Sequence, residues 1–169
     1  MNILIFHIIK QLTDIQKGKI WIGENFNIKL KNVHPEIAFK RPSPTLHAFA
    51  EIISHLTVWR NETILKIKTG KGSIIDDLED NWFGIEHLKK IGWDHLLTDF
   101  NNSLEELIQL LESKNDAFLN EIYYDTDYKR DCDYLFLIEG MLHHDIYHLG
   151  QIGIVLKMIK KETHKLKII

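Results

Sequence analysis

Two histidines one helical turn apart are the residues here whose spacing most directly suggests chemistry. His144 and His148 lie in "GMLHHDIYHLGQIG", inside an otherwise strongly apolar helical segment. Positions four apart differ by about 40° around a helix axis and ~6 Å along it, so both imidazoles can reach one metal ion. They fall on the stripe Leu137, Met141, His144, His148, Gln151, Val155, beside a conventional apolar stripe of Ile138, Leu142, Leu149, Ile152, Leu156 and Ile159. A third histidine, His55, follows Ala48 and Ile52 and precedes Trp59 on another apolar face. Buried neutral imidazoles without partners cost about 1–3 kcal/mol per unsatisfied group, and one divalent ion would satisfy three nitrogens together. The alternative is a set of core histidines hydrogen-bonded to neighbours, and spacing leaves both readings open.

The other histidines sit on mixed faces. His7 shares its face with Gln11 and Asp14, His47 with Glu51 and Ser54, and His95 with Asp99 and Asn102, so these three read as solvated. His143 lies beside the inward stripe, and the facing of His34, His87 and His164 is not fixed by pattern. Among carboxylates, Glu62 lies one turn beyond Trp59 and is a candidate general base, and Asp145 could orient the neighbouring ligand. Each also reads as an ordinary surface carboxylate. Trp59, Tyr147 and Gln151 are candidates to line a pocket.

Four amphipathic segments must position these groups. The first follows Ile5, Ile8, Leu12, Ile15, Ile22, Phe26 and Leu30, broken only by Lys19, and predicts one long helix with a bend near Gly18 or Gly23. The second is expected to start at Ser43 and Pro44, a cap residue and a favourable first helical residue, and to run to about Lys68. Trp93, Leu97, Phe100, Leu104, Leu107 and Leu111 form the seam of the third, and the fourth spans about Tyr134 to Lys160. No alternation or hairpin turn predicts a sheet, and the acidic aromatic stretch "NDAFLNEIYYDTDYKRDCD" reads as a solvated connector rather than a cover. The expectation is an all-α four-helix bundle forming a single domain over residues 1–169, its long connector between the second and third helices permitting a crossover.

Composition narrows the function classes. With 169 residues, 44% apolar and 27% charged, the chain can bury a sizeable core, and a net charge of −3 without a basic stripe argues against nucleic acid. No window approaches the ~20 apolar residues of a membrane span, and "MNILIFHIIKQ" lacks the marks of a secretion signal. The lone Cys132 cannot form an internal disulfide, and a cytoplasmic location is expected.

The motifs "MLHHDIYHLGQI" and "ISHLTVWRNE", with "GKIWIGENF" in the first helix, resemble the DinB-like superfamily of damage-inducible and YfiT-like proteins over essentially the whole chain. The family's late H-x3-H followed by G-Q is matched by His144, His148, Gly150 and Gln151, and its earlier histidine by His55. The resemblance implies an up-down-down-up bundle in which His55, His144 and His148 bind one divalent metal with positions left for water or substrate. On this reading Gly150 and Gly153 are candidates to permit close helix approach. Zinc or nickel is the expected ion, with iron and copper also suited to imidazole. The expected activity is that of a metal-dependent thiol transferase or hydrolase acting on a small molecule, with a low-molecular-weight thiol as one candidate substrate. A non-enzymatic metal-binding or stress-response protein is the alternative, and a homodimer is expected from the family's habit of pairing.

Overall fold

The computed structural model describes residues 2–74 and 81–166, with side-chain surroundings given through Lys161. Helix α1 (Ile3–Lys17) buries Ile5, Ile8, Leu12 and Ile15 as the stripe predicts. Its first turn is capped from a distance: the Asp116 carboxylate accepts the Leu4 and Ile5 amides at 3.2 and 3.1 Å. The amide of Ile5, with those of Leu4 and Ile3, holds that carboxyl below its usual range against the opposing effect of burial.

The first helix does not continue to Leu30. It stops at Gly18, where a side chain would collide with Asp14, and the chain turns through Gly23 at φ +73°. Asn25 then caps α2 (Phe26–Leu30): its oxygen accepts the Ile28 amide at 2.8 Å, and its nitrogen donates to the Gly18 carbonyl at 2.8 Å. Phe26 and Leu30 remain buried, but Ile22 is exposed, because the break rotates it off the seam. A one-turn α3 (Pro35–Ala38) follows.

Helix α4 (Phe49–Thr69) starts later than Ser43 and Pro44 suggest. The Ala48 amide donates to the Glu51 carboxylate at 2.8 Å, so an acid inside the first turn takes the role expected of Ser43. Burial alone would raise the Glu51 pKa, but Arg41 and the Ala48 amide outweigh it and hold the carboxyl below its usual value. Gly70, at φ +70°, ends the helix.

The connector beyond it carries α5 (Ile85–Ile91), and α6 (Trp93–Glu112) buries Trp93, Phe100, Leu104, Leu107 and Leu111. Leu96 joins that seam, and Leu97 is only partly covered. After a short 3-10 helix at Asp116–Asn120, strands β1 (Ile122–Asp125) and β2 (Arg130–Asp133) pair antiparallel, with Tyr123 opposite Cys132. This hairpin was not expected. Four-residue strands offer too few alternating positions to register as a pattern, and the turn is fixed by the Asp125 carboxylate, which accepts the Asp127 and Tyr128 amides at 3.0 Å each. Helix α7 (Tyr134–Leu166) closes the described chain.

Cross-helix pairs set the relative directions. Arg60 to Phe100 and Lys68 to Glu106 advance together, so α4 and α6 run the same way. Tyr134 reaches the Lys66 carbonyl while His55 meets His144, so α4 and α7 are opposed. Gln16 meets Asn101 and Asn2 meets the Lys114 carbonyl, so α1 opposes α6. Among the described residues, no helix is long and apolar enough to cross a membrane.

Candidate metal centre

Because α4 and α7 pack in opposite senses, the inward stripe of one faces that of the other, and three imidazoles 89 and four residues apart converge. His144 Nε2 lies 3.0 Å from His55 Nε2 and 3.1 Å from His148 Nε2. One ligand atom from each ring lies within 4.8 Å of the other two, a cluster able to hold a metal ion. His55 and His148 are buried and His144 is partly so.

The outer ring nitrogens settle the protonation of two rings. His55 Nδ1 is 3.0 Å from the Asn81 carbonyl, and His148 Nδ1 is 2.8 Å from the Gln151 side-chain oxygen. Both acceptors require a protonated Nδ1, which leaves Nε2 of each neutral ring as a lone pair aimed at His144. A proton on His144 Nε2 can satisfy one of those lone pairs and not both. A cation among the three satisfies all of them, so the donor set fits a divalent ion. His144 then carries its proton on Nδ1, which is buried without a hydrogen-bond partner among the described residues.

Burial and neighbouring groups keep His144 and His148 unprotonated. Burial first, then the neighbouring imidazoles and Arg60, push the His144 pKa down to about 3. Burial and His55 push His148 down to about 4, with the Gln151 bond opposing. At neutral pH both are therefore neutral imidazoles, the form a metal requires.

Aromatic groups brace the cluster. The Trp82 ring stacks on His55 at 3.9 Å with an 8° tilt, and its other face stacks on His47 at 3.8 Å. His47 therefore does not project freely into solvent as its face suggested, and its neighbours Glu51 and Ser54 are buried. Trp59 lies edge-on to His55 and donates its indole N–H to the Asn81 side chain at 2.7 Å. Asn81 thus holds His55 through its main chain and Trp59 through its side chain. Neither Asn81 nor Trp82 carries a periodic signal, so the sequence reading missed both.

A cleft of about 260 Å³ opens against His55 and His144. Its walls include Trp59, Tyr128, Phe136 and Met141, and Lys66 and Asp125 form a polar part of the lining. The acidic aromatic stretch is consequently a wall of this cleft rather than a solvated connector. Of the remaining candidates, Gln151 holds His148, and Tyr147 is mostly exposed with its edge toward that ring. Gly150 has open space around it and Gly153 meets only the Lys29 side chain, so neither marks a close approach of two helices. His7, His34, His87, His95 and His143 are exposed, and the side chain of His164 lies outside the described residues.

The two candidate carboxylates point elsewhere. Glu62 is buried and accepts the Ser73 amide and hydroxyl at 2.7 and 2.9 Å and the Ile74 amide at 3.2 Å, tying the loop after α4 to the helix. Gly72 makes this possible, because a side chain there would collide with Glu62, Lys66 and Thr126. Asp145 is fully buried and bonds Arg60 Nη2 at 2.7 Å. Arg60 also donates to the Phe100 carbonyl and Gln16 and lies 4.0 Å over the Phe100 ring. Burial pushes the Asp145 pKa up and Arg60 opposes the rise. Neither Glu62 nor Asp145 lines the cleft.

A family model described as the DinB superfamily matches residues 23–152, a span containing all three histidines and the hairpin. No curated protein and no solved structure matches the chain.

Proposed function

The chain belongs to the DinB superfamily, and we propose that it is a metal-dependent enzyme acting on a small molecule, with His55, His144 and His148 as the metal ligands. The observation that carries this reading is the convergence of three Nε2 atoms that cannot all be satisfied by one another, beside a cleft. Three neutral donors leave a divalent ion its full charge and room for a further ligand, the arrangement of catalytic rather than closed structural sites. Zinc or nickel is the proposed ion, and iron and copper also suit an all-imidazole set.

A bound divalent ion would supply Lewis acidity toward a thiol or a water molecule. The protein's own part is positional. Asn81 and Gln151 fix the rings of His55 and His148, and Trp82 clamps His55 from the side. Trp59, Phe136 and Met141 give the cleft apolar walls that favour a substrate with an apolar body and displace loosely held water. Glu62 and Asp145 are committed to structure and are not bases at the histidines, whereas Asp125 and Asp127 are carboxylates that line the cleft.

The test is elemental analysis of protein purified without an affinity tag, followed by thiol-transfer and hydrolase screens on the metal-loaded form. About one ion per chain, with thiol-dependent turnover, supports the proposal. A metal that no exogenous ligand can reach points instead to metal storage or sensing, and absence of any metal binding returns the histidines to a structural role.

A further inference from the structure

The cleft contains a buried cation that neither the metal ligands nor the fold accounts for in full. His55, Trp59, Thr63 and Lys66 line it from one face of α4, about three turns from end to end. Lys66 is 97% removed from solvent by its 3% exposure, and its Nζ bonds Asp125 at 2.9 Å. The other neighbouring acid, Glu62, is 4.0 Å away, beyond hydrogen-bond reach. An ammonium has three N–H donors, so two have no partner among the described residues.

The adjacent acceptors are already filled. Asp125 takes Lys66, the Tyr123 hydroxyl and the Asp127 and Tyr128 amides, and Glu62 takes its three donors from Ser73 and Ile74. At the Lys66–Asp125 pair, the hydrogen-bonding capacity left among the described residues is therefore donor capacity on Lys66, with Asp127 a further residue of the lining. The Trp59 ring stands between the two ends, its centre 6.4 Å from that of His55 and 5.9 Å from Lys66 Nζ.

Resting on the metal-site reading above, we infer that Lys66 selects the substrate: its far end carries an acceptor oxygen, a carboxylate or carbonyl, that bonds Lys66 while the other end reaches the metal. The middle of such a molecule is apolar and lies along Trp59, Met141 and Phe136. A substrate ending in an ammonium group is disfavoured, because it would bring a second cation against Lys66 where both Asp125 oxygens are already engaged.

The test uses cobalt-loaded protein and three thiols of matched length: mercaptohexanoate, heptanethiol and aminohexanethiol. Dissociation constants are read from the visible spectrum of the cobalt ion. The preference for mercaptohexanoate over heptanethiol should drop about tenfold in Lys66→Met, as expected for a charge-assisted hydrogen bond. It should survive in Lys66→Arg, which keeps a donor cation beside Asp125. Aminohexanethiol should bind the wild type least. Because Lys66→Met strands Asp125, the double variant Lys66→Met with Asp125→Asn is measured beside it, with circular dichroism and cobalt stoichiometry to verify the fold. If the thiols bind and the preference is the same in wild type and both Met variants, the role of Lys66 is refuted while the open metal site stands. If no thiol alters the wild-type spectrum, the open-site reading falls and this inference falls with it.

Discussion

The pair formed by Arg60 and Asp145 provides a sharp test of how this core is held together, because both side chains have no exposed surface. Asp145→Leu would leave the guanidinium with only the Phe100 carbonyl and the Gln16 side chain as acceptors. Removing one partner of a fully buried pair costs about 3–5 kcal/mol, a large part of the 5–15 kcal/mol typical of a domain. Asp145→Asn retains one acceptor for Nη2 and should cost less, about 1–3 kcal/mol. Replacing both, Arg60→Met with Asp145→Leu, removes the stranded charge and should recover most of the loss, short of about 1 kcal/mol from the contact with the Phe100 ring. Urea unfolding of the metal-free proteins at neutral pH, with unchanged slopes, measures each value. The reasoning is refuted if Asp145→Leu costs under about 1 kcal/mol, or if the double variant is no more stable than Asp145→Leu alone. Metal stoichiometry of the folded double variant then tells whether the pair serves the core alone or also positions the adjacent His144.

Acid should weaken the metal-free bundle in a defined window. The folded pKa values of His144 and His148, about 3 and about 4, lie below the ordinary 6.5, so as pH falls the unfolded chain takes up protons first. Their stabilising contribution is complete above about pH 6.5 and is lost progressively toward pH 4 and below, at up to ~1.4 kcal/mol per unit for each ring before discounting for solvent screening. Urea unfolding near pH 7 and near pH 5.5 should differ by about 1–2 kcal/mol, and a His144→Leu, His148→Leu variant should show a flatter dependence. An equally steep variant would assign the effect to other groups. His55→Ala should sharply lower metal occupancy while circular dichroism stays helical, and full stoichiometry and affinity in that variant would remove His55 from the ligand set. Gly72→Ala should destabilise by about 1–3 kcal/mol through collision with Glu62, Lys66 and Thr126, measurable by thermal unfolding. A change within error would mean that the loop can shift away from α4.

The amphipathic stripes of α1, α6 and α7 were readable because helical periodicity is written within a few residues, and the spacing of His144 and His148 follows from the same 3.6-residue turn. His55 was recognisable as an inward residue for that reason, and its match to a family motif named its partners. The break at Gly18 was not readable, because Phe26 and Leu30 resume the apolar spacing after it. Nor was the start of α4, where Glu51 and Arg41 take over from Ser43. Arg60 and Lys66 carry the ordinary signature of surface cations, yet both are buried, since Asp145 and Asp125 reach them from segments more than fifty positions away. The Trp82 stack that draws in His47, and the hairpin that walls the cleft, likewise depend on partners brought together by chain packing. The sequence alone determined which faces are apolar and which residues share a turn, because these are properties of neighbours along one backbone. Only the tertiary structure decided which polar groups could be buried, because taking a charge or an imidazole out of water is tolerable only where a distant segment supplies its partner.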